Sequence, residues 1–100
     1  MEIVSLKLVV IVAEAVLEHQ LVSDLNRLGA RGHTLVRAEG EGQRGMRVGG
    51  LEGGNIRLET IVSGEVADKI MTRLASRYFE NYAIIAYQSD VGVVRGNKYV

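Results

Sequence analysis

The chain has no cysteine and no proline among its 100 residues, and each absence excludes something definite. Without cysteine there can be no disulfide, no thiolate nucleophile and no cysteine-held metal. Without proline, and with no shift in composition along the chain, nothing marks an extended interdomain linker. Net charge is also missing, since 12 basic residues face 12 acidic ones. No overall field therefore steers the body toward nucleic acid or an anionic membrane. Long apolar runs are absent too. The longest, Leu6 to Ala13, has Lys7 inside it and is too short to span a bilayer. It carries neither a basic leader nor a cleavage site, so a signal peptide is not expected and a cytoplasmic protein is.

What remains is a globular composition, 47% hydrophobic and 24% charged, in a length that makes one domain over residues 1–100. Leu8-Val9-Val10-Ile11-Val12 is a continuous run of the kind found in a strand buried on both faces. From Glu14, the steps Leu17, Leu21, Leu25 and Leu28 predict a helix that ends at Gly29, with Asp24 and Asn26 off its apolar stripe. His33 to Arg37 can form a second strand. Asn55 to Val62 alternates and predicts a half-exposed strand with Ile56, Leu58, Thr60 and Val62 on its inner face. Ser63 is a good N-cap for a second helix, which would bury Val66, Ile70, Leu74 and Tyr78, with Ala67, Met71 and Ala75 beside them. Ala83 to Gln88 reads as a fourth strand and Val91 to Val94 as the start of a short fifth. The order βαβ–loop–βαβ predicts a ferredoxin-like α+β sandwich with two helices on one face of a four-stranded sheet. Its other face would be an association surface, and oligomerisation is the expected cover.

Between the halves lies a glycine-rich loop, about residues 39–55. It holds seven of the 12 glycines, Gly40, Gly42, Gly45, Gly49, Gly50, Gly53 and Gly54, together with Arg44 and Arg47. Bare backbone amides and guanidinium forks suit phosphate or carboxylate, so the loop reads as mobile and anion-responsive. The plainer alternative is a solvated hairpin in which Glu39, Glu41 and Glu52 pair with the arginines at little gain. Its length favours function. Its place between strands, rather than opening a helix, excludes a Rossmann fingerprint and a P-loop.

Other chemistry finds little support. His19 and His33 form no His-x-x-x-His pair, and no metal is expected. Ser63 and Ser89 have no assignable base. Tyr78-Phe79-Glu80-Asn81-Tyr82 invites base stacking, but RNA-binding modules of this topology stack on aromatics of their two central strands. Leu8 to Val12 and Ile56 to Val62 contain none, so no nucleic-acid partner is expected.

Gly29-Ala30-Arg31-Gly32-His33-Thr34-Leu35 followed by Gly40-x-Gly42-Gln43-Arg44-Gly45 resembles the P-II and P-II-like signal-transduction proteins. Gly40-x-Gly42-x-Arg44-x-x-Arg47, Asn55-Ile56-Arg57-Leu58-Glu59 and Tyr78-Phe79-x-Asn81-Tyr82-Ala83 narrow the resemblance to the branch associated with bicarbonate transporters and carboxysomes. It covers about Leu8 to Gly96. The resemblance implies a homotrimer whose open sheets face inward, with adenine nucleotide bound in clefts between subunits. Gly32 and Thr34 would then line the adenine end. Gly40, Gly42, Gln43, Arg44 and Arg47 would meet phosphate, and Gly92 would contribute from the adjoining subunit. It implies a non-enzymatic sensor with no required cofactor, whose ligands are AMP or ADP, with cyclic AMP, ATP and bicarbonate as further candidates. A membrane bicarbonate transporter or a carboxysomal protein would be the partner.

Departures from the family narrow these expectations. The loop has no tyrosine to accept a uridylyl group. Gly92-Val93-Val94-Arg95-Gly96 lacks the lysine of the relatives' basic glycine motif, which favours AMP or ADP over ATP. No cysteine follows it, so the redox-active C-terminal extension of some relatives is not expected. Two rival readings stand beside the sensor: a small nucleotide phosphohydrolase using the same cleft, and a purely structural trimer.

Overall fold

A computed structural model describes residues 1–39 and 54–99. Strand β1 (Ile3–Glu14) leads through a single 3₁₀ turn (Ala15–Leu17) into helix α1 (Glu18–Leu28) and then strand β2 (Thr34–Ala38). Strand β3 (Asn55–Val62), helix α2 (Gly64–Arg77) and strand β4 (Ile84–Val94) repeat the order, and a short 3₁₀ turn (Gly96–Tyr99) follows. The strands are antiparallel in the order β2-β3-β1-β4. This is the predicted ferredoxin-like sandwich.

The core lies between the sheet and the two helices. Val9, Ile11, Ala13, Ile56, Leu58 and Val62 of the central strands meet Leu17, Leu21 and Leu25 from the first helical segment and Ala67, Ile70 and Leu74 from α2. Each large aliphatic side chain enclosed this way stabilises the fold by about 1.5–3 kcal/mol. Helix α1 stops where Gly29 takes a left-handed φ of 112°, from which its N–H and that of Ala30 reach back to the last carbonyls. Helix α2 starts where the Ser63 hydroxyl accepts from the Val66 N–H at 3.3 Å.

Four expectations are corrected. The first strand begins at Ile3, five residues earlier than its β-branched run, because β4 pairs with it along that whole length. Residues 84–94 form one strand rather than two, since Gln88 to Val91 stay in register with β1. Ala75 is exposed, lying too far round α2 to reach the sheet. Asp24, off the apolar stripe of α1, is buried. Its Oδ2 accepts from the Tyr78 hydroxyl at 2.6 Å, and its Oδ1 faces Arg27 at 3.2 Å and Arg73 at 3.4 Å.

Strand alternation puts the remaining residues on the face opposite the helices. The register lines up Thr34, Glu59, Val10 and Tyr87 in one row, and Val36, Arg57, Val12 and Ile85 in the next. In that layer Val36, Ile85 and Tyr87 are each about half exposed (47%, 54% and 46%), so apolar surface is left uncovered at both sheet edges. The end of the sheet from which residue 39 departs is held at two points. Ala15 N–H donates to the Gly54 carbonyl at 2.9 Å, and Ala83 N–H donates to a Glu14 carboxylate oxygen at 2.8 Å.

Candidate functional site

The turn from α1 into β2 brings Gly32, His33 and Thr34 alongside the last residues of β3. Here the sheet edge opens into a cavity of about 310 Å³, lined by Leu8, Gly32, His33, Thr34, Glu59, Thr60 and Ile61. Its wall is chemically mixed. Leu8 and Ile61 are neighbours across β1 and β3 and offer an apolar surface. Thr34 and Glu59 are paired across β2 and β3 and offer a hydroxyl and a carboxylate. The Arg57 Nε–H donates to Glu59 at 2.8 Å, which restricts where that carboxylate points. Thr60 faces the core, 3% exposed, and its hydroxyl donates to the Gly32 carbonyl at 2.6 Å. A flat heteroaromatic ring, apolar on its faces and hydrogen-bonding at its edge, suits such a wall.

The glycines here differ in what the fold asks of them. A Cβ on Gly92 would sit 2.8 Å from Ile3 Cγ2, so a side chain there would have to push the exposed Ile3 aside. A Cβ on Gly32 would meet nothing within 4 Å, and its φ lies outside the left-handed region. The fold does not account for Gly32. A ligand approaching its backbone would.

Of the residues expected to bind nucleotide, Gly32 and Thr34 share this cavity. Gly92 does not line it within the chain; it pairs with Ser5 toward the far end of β4. Gly40, Gly42, Gln43, Arg44 and Arg47 lie outside the described residues. No sequence motif marks Leu8, His33, Glu59, Thr60 or Ile61 as site residues. Leu8 read as core and Glu59 as surface. The signal for Glu59 was its place on the outward face of β3, opposite the first residue of β2. His33 also borders a second hollow, of about 410 Å³, with Ala15, Val16, Glu18, His19 and Val22. Among the described residues no group of three or more His, Cys, Asp or Glu side chains is gathered as a metal site.

The sequence model of the family described as nitrogen regulatory protein P-II matches residues 6–98. The chain belongs to the P-II family. It is similar throughout to a PII-like signalling protein from Thermus thermophilus, at 59% identity over 100% of both chains and a TM-score of 0.89. The fold also matches CPII from Thiomonas intermedia, solved with ADP and bicarbonate, at 24% identity over 99% of this chain and 98% of that one, TM-score 0.89. GlnK of B. subtilis, solved with ATP, is more distant: 17% identity over 85% and 82% of the two chains, TM-score 0.58. Membership makes this chain a PII-like regulatory protein. Among its described residues no helix is long and apolar enough to cross a membrane.

Proposed function

We propose that this P-II protein is a non-enzymatic cytoplasmic sensor that binds AMP or ADP in clefts between the subunits of a homotrimer. The observation that carries this reading is the cavity beside the one glycine in that turn whose bare backbone the fold does not require. The adenine ring packs on Leu8 and Ile61, with the backbone of Gly32 to Thr34 and the Glu59 carboxylate at its edge. Gly40, Gly42, Gln43, Arg44 and Arg47 meet the phosphates, and Gly92 faces the ligand from the adjoining subunit. Ligand occupancy then selects between states of the segment that carries the arginines. The CPII structure with ADP and bicarbonate supports bicarbonate as a second ligand. With bicarbonate as a ligand, the sensor would control inorganic-carbon uptake, through a bicarbonate transporter or a carboxysomal partner. The chain is a single P-II-like domain over residues 1–100.

A thermal-shift panel of AMP, ADP, ATP, cyclic AMP and bicarbonate tests the reading. A ligand that binds only the native state at a hundred times its Kd adds about 2.7 kcal/mol, so AMP and ADP should raise Tm by several degrees. The double change Arg44→Ala and Arg47→Ala should remove most of that shift. No shift with any nucleotide sinks the reading in favour of a purely structural trimer. An undiminished shift in the double variant removes the arginines from the site.

A further inference from the structure

Thr60 is a polar residue on the inner face of β3, at a position flanked in that face by Leu58 and Val62. A buried hydroxyl among aliphatic side chains is destabilising unless it is hydrogen-bonded. Its 2.6 Å bond to the Gly32 carbonyl satisfies it, and the same bond reaches out of the core into the cavity wall. The Gly32–His33 peptide unit is planar, so fixing its carbonyl toward Thr60 carries the His33 N–H on the opposite side, away from the core. The turn itself has few restraints. Gly32 and His33 are exposed, belong to neither α1 nor β2, and have open space around the Gly32 Cα. In Gly32 the backbone is also at its most permissive.

We infer that Thr60 is a positioning residue for the nucleotide site: its hydroxyl locks the Gly32–His33 peptide in the orientation that presents backbone to the base. The inference rests on the proposed nucleotide reading of this cavity. Without the lock the turn samples other orientations, and apparent affinity falls by the fraction that remains competent. Thr60 acts at the base end, so its loss should weaken adenosine, AMP and ADP by the same factor. The phosphate contacts assigned to Arg44 and Arg47 would not behave this way.

The test compares Thr60→Val and Thr60→Ser with the unaltered protein, by calorimetry with adenosine, AMP and ADP and by NMR backbone order parameters at residues 31–34 without ligand. Valine keeps the shape of threonine, and Gly32 is exposed, so water can replace the lost bond and the variant should fold. Thr60→Val should bind all three ligands about fivefold to tenfold more weakly and show lower order parameters at those residues, while Thr60→Ser stays within about twofold of the unaltered protein. Gly32→Ala provides a second variant, which should keep its Tm and still lose affinity, because a methyl there has open space in the fold and Gly32 lines the cavity. Unchanged affinity in Thr60→Val overturns the inference, as do unchanged order parameters. If the unaltered protein binds none of the three ligands, the nucleotide reading itself fails. The order parameters then still decide whether Thr60 holds the turn.

Discussion

Asp24 sits between α1 and α2 with a proton donor on one oxygen and two guanidinium groups near the other. Arg27 and Arg73 reach solvent and can be rehydrated, but Asp24→Ala leaves the buried Tyr78 hydroxyl without its acceptor, so it should cost about 1–3 kcal/mol in denaturant unfolding. The arrangement also leaves a mark on Tyr78. Burial, then the hydrogen bond to Asp24 and the nearby negative charge, push its hydroxyl up from the usual value of about 10 to about 12, against a smaller opposing pull from Arg73 and Arg77. A raised folded-state pKa means that the folded chain holds the proton more tightly than the unfolded one. The stabilisation is therefore complete below about pH 10 and is lost as pH rises toward about 12. Unfolding followed across that window should show stability falling in the unaltered protein and a flatter profile in Tyr78→Phe. Equal slopes would mean that the hydroxyl is not held as the structure shows. Sequence pattern could not reveal this pairing, because periodicity assigns a polar residue off the stripe to solvent. Only the packing angle of two helices brings Asp24 and Tyr78 together, 54 positions apart.

The elements themselves were largely legible, and the reasons differ from one to the next. Strand β3 matched its predicted bounds because alternation is a strong signal where one face is core and the other is not. Strand β4 was harder. From Gln88 to Asp90 its side chains are exposed, so no apolar pattern announces that the strand continues, and only the pairing with β1 carries it through. Helix ends were announced by single residues with a mechanism. Ser63→Ala removes the acceptor for the Val66 N–H and should cost about 1 kcal/mol. Gly29→Ala should cost more. It places a Cβ where φ is 112° and only 3.3 Å from Val66 Cγ2, adding strain to a clash that a helix side chain must relieve. Chemical denaturation should show both midpoints lowered at constant m, with the Gly29 variant lower. The reverse order would mean that the turn after α1 is more adaptable than the structure implies.

At the scale of the whole molecule, the candidate cavity was half legible. Gly32 and Thr34 were marked by a short motif, but a motif names residues in one stretch of chain. Leu8, Glu59 and Ile61 reach the same cavity from two other strands, and only the sheet register unites them. The open face makes the same point on a larger scale. Its apolar residues are scattered through the sequence, yet Val36, Ile85 and Tyr87 expose one layer of surface on the side where the cavity opens. If that layer is the seat of the trimer, assembly and binding are coupled, because each cavity gains its missing wall from the next copy. Tyr87→Glu separates the possibilities. A carboxylate forced into a subunit contact without a partner is strongly destabilising, so the variant should run as a monomer in light scattering at micromolar concentration. Its affinity for AMP should fall with assembly, by tenfold or more, although Tyr87 does not line the cavity in its own chain. A variant that stays trimeric places the interface elsewhere on the molecule. A monomer that binds AMP as tightly as the unaltered protein shows that the walls supplied by one chain are sufficient, and the coupling would then have to run through something other than the shared cleft.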